Sequence, residues 1–197
     1  MLGTFRVVSD RTEMMRAPQT LDEFVALLRG RHAHVMEGRP DKSPGTFKAK
    51  QNRAGETLFV APELVHGTLA HGFQLHRALP DAFQRAVFMM FLVSEVHPFV
   101  DGNGRVARIM MNAELVAAGE RRIIVPTIFR SNYLTGLEAL SHNGVTRTLI
   151  RSLDFLQRYT LAINFSTLAR SQEQLEATNA FRDAQQADGE GARLVLP

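Results

Sequence analysis

Residues 86–118 read AVFMMFLVSEVHPFVDGNGRVARIMMNAELVAA, two apolar stretches around one short polar interruption. The first belongs to a segment that opens at Pro80-Asp81 and runs to about Val96. Its centre, Val87 to Val93, is apolar on every side. A helix with that composition lies at the middle of a domain. A strand is the alternative for a short apolar run, but the length and the methionine content favour helix. His97 to Gly102 reads as a loop from its Pro and Gly content. Asn103 to about Ala118 is again helical and largely apolar, with Gly119 as a stop.

Outward from this pair, Thr20 with Glu23 has the form of a capping box. It opens an apolar-periodic helix through Phe24, Leu27 and Leu28 that ends near Gly38-Arg39-Pro40. Short β-prone runs around Pro44-Gly45 and Ala54-Gly55 predict a hairpin over about Thr46 to Val60. Pro62 suits the first position of a helix from Glu63 to about Arg77. Helices are expected over Asn132 to Leu140, Arg147 to Ile163 and Thr167 to Ala184. From Ala187 the tail is expected to be flexible. The fold class is therefore all-α with one small β-hairpin. Three segments are expected: a helical 1–40, a core with the hairpin over 41–163, and a C-terminal helix and tail over 164–197.

With 197 residues, 45% hydrophobic and 22% charged, the chain has the makings of an ordinary globular core. No apolar run approaches the length of a membrane span, so no membrane partner is expected. There is no cysteine, which excludes disulfides and thiolate metal sites. The first residues are charged where a signal peptide needs its apolar centre. A cytoplasmic location fits, and so does an effector delivered without a cleavable signal. The net charge is +3 and the pI about 9.8, but the Arg and Lys are scattered, which argues against nucleic acid.

The chemistry gathers in residues 97–108, HPFVDGNGRVAR. Gly102-Asn103-Gly104 leads straight into a helix, where unpaired first-turn amides and the positive dipole end bind phosphate. Arg105 and Arg108 share one face of that helix. Two guanidinium forks beside a phosphate nest suit more than one phosphate. Asp101 offers a hard oxygen for Mg²⁺, and His97 a base that works near neutral pH. Each feature alone is commonplace: a turn, a cap, a solvated face. Their conjunction between two buried helices is not, because charge placed there is costly unless it serves something.

The string resembles the signature of the Fic family, His-x-Phe-x-Asp/Glu-Gly-Asn-Gly-Arg-x-x-Arg, at every fixed position. Thr46-Phe47-Lys48 after Pro44-Gly45 looks like the family's flap, which docks the target. The likeness spans about residues 40 to 160. It implies a protein adenylyltransferase that moves AMP from ATP, with Mg²⁺, onto a Tyr, Thr or Ser hydroxyl of a protein target. His97 would be the general base and Asp101 the Mg²⁺ ligand. Gly102, Asn103 and Gly104 would form the anion hole, with the Asn103 side chain near the α-phosphate. Arg105 would hold the β-phosphate and Arg108 the γ-phosphate. Phe99 would anchor the loop in the core. Tyr133 falls where nucleoside contacts occur in the family, as does Asn143, and each also reads as structural.

Other chemistry on the same fold, or a catalytically idle binding module, are the competing functions. The intact Gly-Asn-Gly favours AMP transfer over phosphorylation. The family's inhibitory pattern, Ser/Thr-x-x-x-Glu-Gly/Asn, has no full match. The nearest is Ala33 to Gly38, where Glu37 reads as a helix-end residue. Two sources of inhibition remain: a separate antitoxin-like partner protein, or a segment absent from this chain. A homodimer is a further partner that the resemblance brings. His66, His71 and His76 recur every five residues, which spreads them around a helix. No pair can then form a zinc site, and all three read as surface residues.

Overall fold

The computed structural model describes residues 2–55 and 57–197. Met1 and Glu56, the latter inside the expected hairpin, lie outside the described residues. The chain divides into two compact units, residues 1–120 and 121–197. That division follows compactness, and its boundary differs from the three segments expected from sequence.

The first unit is built on two helices, α5 (Ala82–Val96) and α6 (Asn103–Ala117), which pack against each other along their length. Asp81 caps α5, its carboxylate accepting from the Gln84 amide. The facing side chains are fully buried, among them Met89, Met90, Val93, Val106, Met110 and Met111. Burying a side chain of this size contributes about 1.5–3 kcal/mol. Around this pair stand α1 (Leu2–Ser9), α2 (Arg11–Met14), α3 (Leu21–Val35) and α4 (Val65–Arg77). The capping box at the start of α3 forms as expected, with Thr20 accepting from the Glu23 amide. Gly72 lets α4 lie close on α5, since a Cβ there would meet Leu92 Cδ1 at 2.3 Å. Arg31 on α3 is buried, and its guanidinium donates to Glu13, the Arg16 carbonyl and Met110 Sδ, tying α2 and α3 to α6.

The hairpin is smaller than expected. Among the described residues only Arg53–Ala54 (β1) and Thr57–Leu58 (β2) pair, antiparallel, with Arg53 opposite Leu58. Pro62 starts a single 3₁₀ turn, after which α4 begins at Val65.

The second unit holds α7 (Arg130–Asn143), α8 (Thr146–Ala162), α9 (Leu168–Ala177) and α10 (Ala184–Glu190). On α8, Leu149, Leu153, Leu156 and Tyr159 form the buried stripe. The single helix expected over Thr167 to Ala184 breaks after Ala177. There Asn179 takes a positive φ of 65°, and the Asp183 carboxylate caps a new helix. The tail expected to start at Ala187 thus carries a helical turn, with Ala187 itself buried.

Candidate active site

Helix α5 ends at Val96, and His97 closes it in the left-handed region (φ 49°, ψ 58°), its amide donating to the Val93 carbonyl at 3.1 Å. The ring Nδ1 lies 3.1 Å from the Ser94 carbonyl. A carbonyl can only accept, so Nδ1 carries the proton and Nε2 keeps its lone pair. Phe59, just after the hairpin, stacks on the ring at 3.7 Å. Burial pushes the His97 pKa down and the Lys48 ammonium adds to this, while the Ser94 carbonyl and Asp101 oppose it. The net effect favours the neutral imidazole.

The loop that follows is held by its own side chains. Phe99 is fully buried. Its amide donates to Asn103 Oδ1 at 2.9 Å, and its carbonyl accepts from Asn103 Nδ2 at 2.8 Å. This corrects the role expected for the Asn103 side chain. It is buried and clamps Phe99, so what Asn103 can offer an anion is its backbone amide. Gly102 caps α6 at φ 79°, and a Cβ there would lie 2.8 Å from Met36 Sδ. Only glycine satisfies both constraints.

At the start of α6 the amides of Asn103 and Gly104 have no intrahelical partner. Both motif arginines lie beside the glycines. Arg105 Nη2 is 3.6 Å from where a Cβ on Gly102 would stand, and Arg108 Nη1 is 3.6 Å from the same point on Gly104. Arg105 is held, donating to Met36 Sδ at 3.2 Å and lying 3.8 Å from Asp101 Oδ1. Arg108 pairs with no carboxylate among the described residues. Glu37 is bound elsewhere, both its oxygens accepting from Arg6 at 2.8 and 2.9 Å.

Asp101 is half-exposed, and its Oδ1 accepts the Gly102 amide. No cluster of three or more potential metal ligands occurs among the described residues. A lone accessible carboxylate beside a phosphate cradle still fits Mg²⁺, which takes one or two carboxylates and completes its shell with phosphate and water.

Two neighbours of the loop escape sequence reasoning. His32 on α3 is fully buried and stacks on Phe99 at 3.7 Å. Its Nδ1 accepts the Gly45 amide at 2.9 Å, so Nε2 donates to the Asp101 carbonyl at 3.0 Å. Asn52, at the neck of the hairpin, donates to the Phe99 carbonyl at 2.8 Å. A lone His in an amphipathic helix and a lone Asn near a turn carry no signal of this.

The flap residues need a correction. Thr46, Phe47 and Lys48 precede the strands and form none themselves. Phe47 packs on Phe99 with ring centroids 5.4 Å apart. The Lys48 amide donates to the Pro98 carbonyl at 2.8 Å, so it is not a free edge donor. His76 is a second correction. It is fully buried, not on the surface, with Nε2 3.2 Å from Glu114 Oε1. Tyr133 and Asn143 belong to the second unit, at a buried position inside α7 and at its exposed last residue.

The Fic/DOC family profile matches residues 21–115. Among curated relatives, protein adenylyltransferase fic-1 of Caenorhabditis briggsae is 29% identical over 145 residues, covering 69% of this chain and 28% of the relative. Protein adenylyltransferase Fic of Drosophila melanogaster is 39% identical over 66 residues, covering 34% and 13%. The chain thus spans well under a third of the length of these relatives. A Fic-domain-containing signaling protein from Bacteroides thetaiotaomicron VPI-5482 superposes with a TM-score of 0.63 at 17% identity, over 80% of this chain and 64% of that one. Fic-1 (aa134–508) from C. elegans gives 0.60 at 21% identity, over 89% and 48%. These likenesses show the fold, helical with a small hairpin. The segment that carries the His97–Arg108 loop lies within residues 21–115, which match the Fic/DOC family profile, and over that segment the chain is similar to this family.

Proposed function

We propose that the domain transfers AMP from ATP to a hydroxyl of a protein target. The observation that carries this is His97, whose Nδ1 faces the Ser94 carbonyl and leaves Nε2 open, set in the same short loop as a helix start flanked by Arg105 and by Arg108, which pairs with no carboxylate among the described residues. The names of the relatives support it. The target oxygen forms a bond to the α-phosphorus while the bond from that phosphorus to the β-bridging oxygen breaks. Pyrophosphate leaves, and the hydroxyl proton passes to His97 Nε2. The amides of Asn103 and Gly104 receive phosphate oxygen, Arg105 the β-phosphate and Arg108 the γ-phosphate. Asp101 would hold Mg²⁺, which offsets phosphate charge when bound. Such positioning and charge stabilisation carry most of the catalysis in phosphoryl-type transfer.

In this conformation no carboxylate among the described residues pairs with Arg108, and an inhibitory carboxylate supplied by a separate partner protein would fit there. Among the described residues no helix is long and apolar enough to cross a membrane.

The test uses ATP labelled at the α- or the γ-phosphate, with Mg²⁺ and candidate target proteins. Label from the α-phosphate alone should appear on protein. His97→Ala should lower the rate about a hundredfold to ten-thousandfold with ATP affinity retained. Label from the γ-phosphate alone would make the domain a kinase and end this reading.

A further inference from the structure

Lys48 is 4% exposed, and no carboxylate pairs with it among the described residues. A buried ammonium without a counter-charge is expensive, and its place in a fold asks for a reason. Its Nζ donates to Asn52 Oδ1 at 2.7 Å and to the Val96 carbonyl at 3.3 Å. Val96 is the last residue of α5, where the helix dipole is negative and unpaired carbonyls collect. The Lys48 amide takes the Pro98 carbonyl and the Asn52 side chain takes the Phe99 carbonyl. Asn52 and Phe59 are themselves joined across the hairpin neck, the Phe59 amide donating to the Asn52 carbonyl at 3.2 Å. Carbonyls 96, 98 and 99 are therefore all bound by one short segment, on both sides of His97. The residue so bracketed has a positive φ that non-glycine residues rarely adopt.

We propose that Lys48 and Asn52 form a clamp that positions His97 by holding the backbone carbonyls on either side of it. This rests on the AMP-transfer reading for its catalytic meaning, though not for its geometry. Lys48 is a positioning residue, since it touches the peptides on either side of His97 and not the reacting atoms. The charged groups that act on the imidazole are Lys48 from the clamp and Asp101 from the loop. Lys48 lowers the His97 pKa and Asp101 raises it. Burial holds Lys48 itself at about 8, so it is charged throughout the range in which His97 titrates.

The experiment follows the His97 ring nitrogens by NMR as a function of pH, in the wild-type chain and in Lys48→Met. In wild type the His97 signals should show a second, smaller step near about 8, as Lys48 loses its proton. In Lys48→Met that step should vanish and the His97 midpoint should move up, because the repulsive charge is gone. The acid limb of the rate profile should move up with it. The rate kcat should fall about a hundredfold while KM for ATP holds, since the phosphate cradle lies elsewhere in the loop. Asn52→Ala keeps the charge, so it should lose rate with the His97 midpoint unmoved. A single-step wild-type titration, or a His97 midpoint unchanged in Lys48→Met, would overturn the clamp. The ring signals are read without ATP, so they decide the clamp even if α-phosphate labelling fails.

Discussion

The two ends of α6 carry charge of opposite character into the same apolar surroundings. At its far end Glu114 is 5% exposed, 3.2 Å from the fully buried His76 and 3.8 Å from Arg85. At its near end Arg105 and Arg108 stand half-buried beside glycines. The far end answers its charge from within, although the His76 and Glu114 atoms approach without hydrogen-bond alignment. The near end leaves Arg108 unanswered among the described residues and exposes first-turn amides. Charge between buried helices is therefore not by itself a sign of function. What separates the two ends is whether the protein supplies the partner.

The comparison breaks most easily at Glu114. Glu114→Ala should cost about 3 kcal/mol of stability, the low end for a broken buried pair, because Arg85 keeps the Leu79 and Pro80 carbonyls. Urea unfolding should show it as a lower midpoint with the slope unchanged, and ATP affinity of the folded protein should be untouched. A loss of ATP binding at full stability would mean that the far end is also a ligand site.

Arg108→Ala should do the reverse. One charge-assisted contact to phosphate, about 1.5–3 kcal/mol, should vanish from ATP binding, a tenfold to hundredfold weaker Kd by calorimetry. Stability should stay within about 0.5 kcal/mol. A large stability loss would show Arg108 to be a structural residue like Glu114.

The smallest effect belongs to Glu37. Its pair with Arg6 is exposed and worth about 1 kcal/mol or less. Glu37→Gly should leave AMP transfer essentially unchanged, assayed with ATP and Mg²⁺. A large gain of activity would make Glu37 an inhibitory carboxylate and would require a different conformation, in which it leaves Arg6 for Arg108.

Much of this was legible in the chain. The two buried helices, the capping box at Thr20 and the polar loop between α5 and α6 are local patterns, and local patterns survive in sequence. Spacing also showed that His66, His71 and His76 cannot share a face. It could not show that one of them turns inward, and His76 does, because Glu114 lies far along the chain. The hairpin was placed too widely for a similar reason. Thr46 to Lys48 has strand-like composition, but the Lys48 amide is taken by Pro98, so the segment joins the loop rather than a strand partner. His32 and Asn52 were invisible since their partners lie 69 and 47 residues away. The Asn103 side chain gives no clear signal either, because an amide that can meet a phosphate can equally clamp a peptide.

Those long separations bear on when the loop acquires its shape. The helices α5 and α6 can form from local contacts within microseconds. The contacts from Asn52 to Phe99 and from His32 to Asp101 must close loops of 47 and 69 residues, and contacts of that span form late and slow a fold. Closing them is not very costly at equilibrium, since doubling a loop adds only about 0.6 kcal/mol. The delay is kinetic. A chain emerging during synthesis delivers His32 and Lys48 well before Asp101, so the parts that hold the histidine wait for the loop they will hold. Until they meet, the twelve-residue string is present in full but has no fixed geometry.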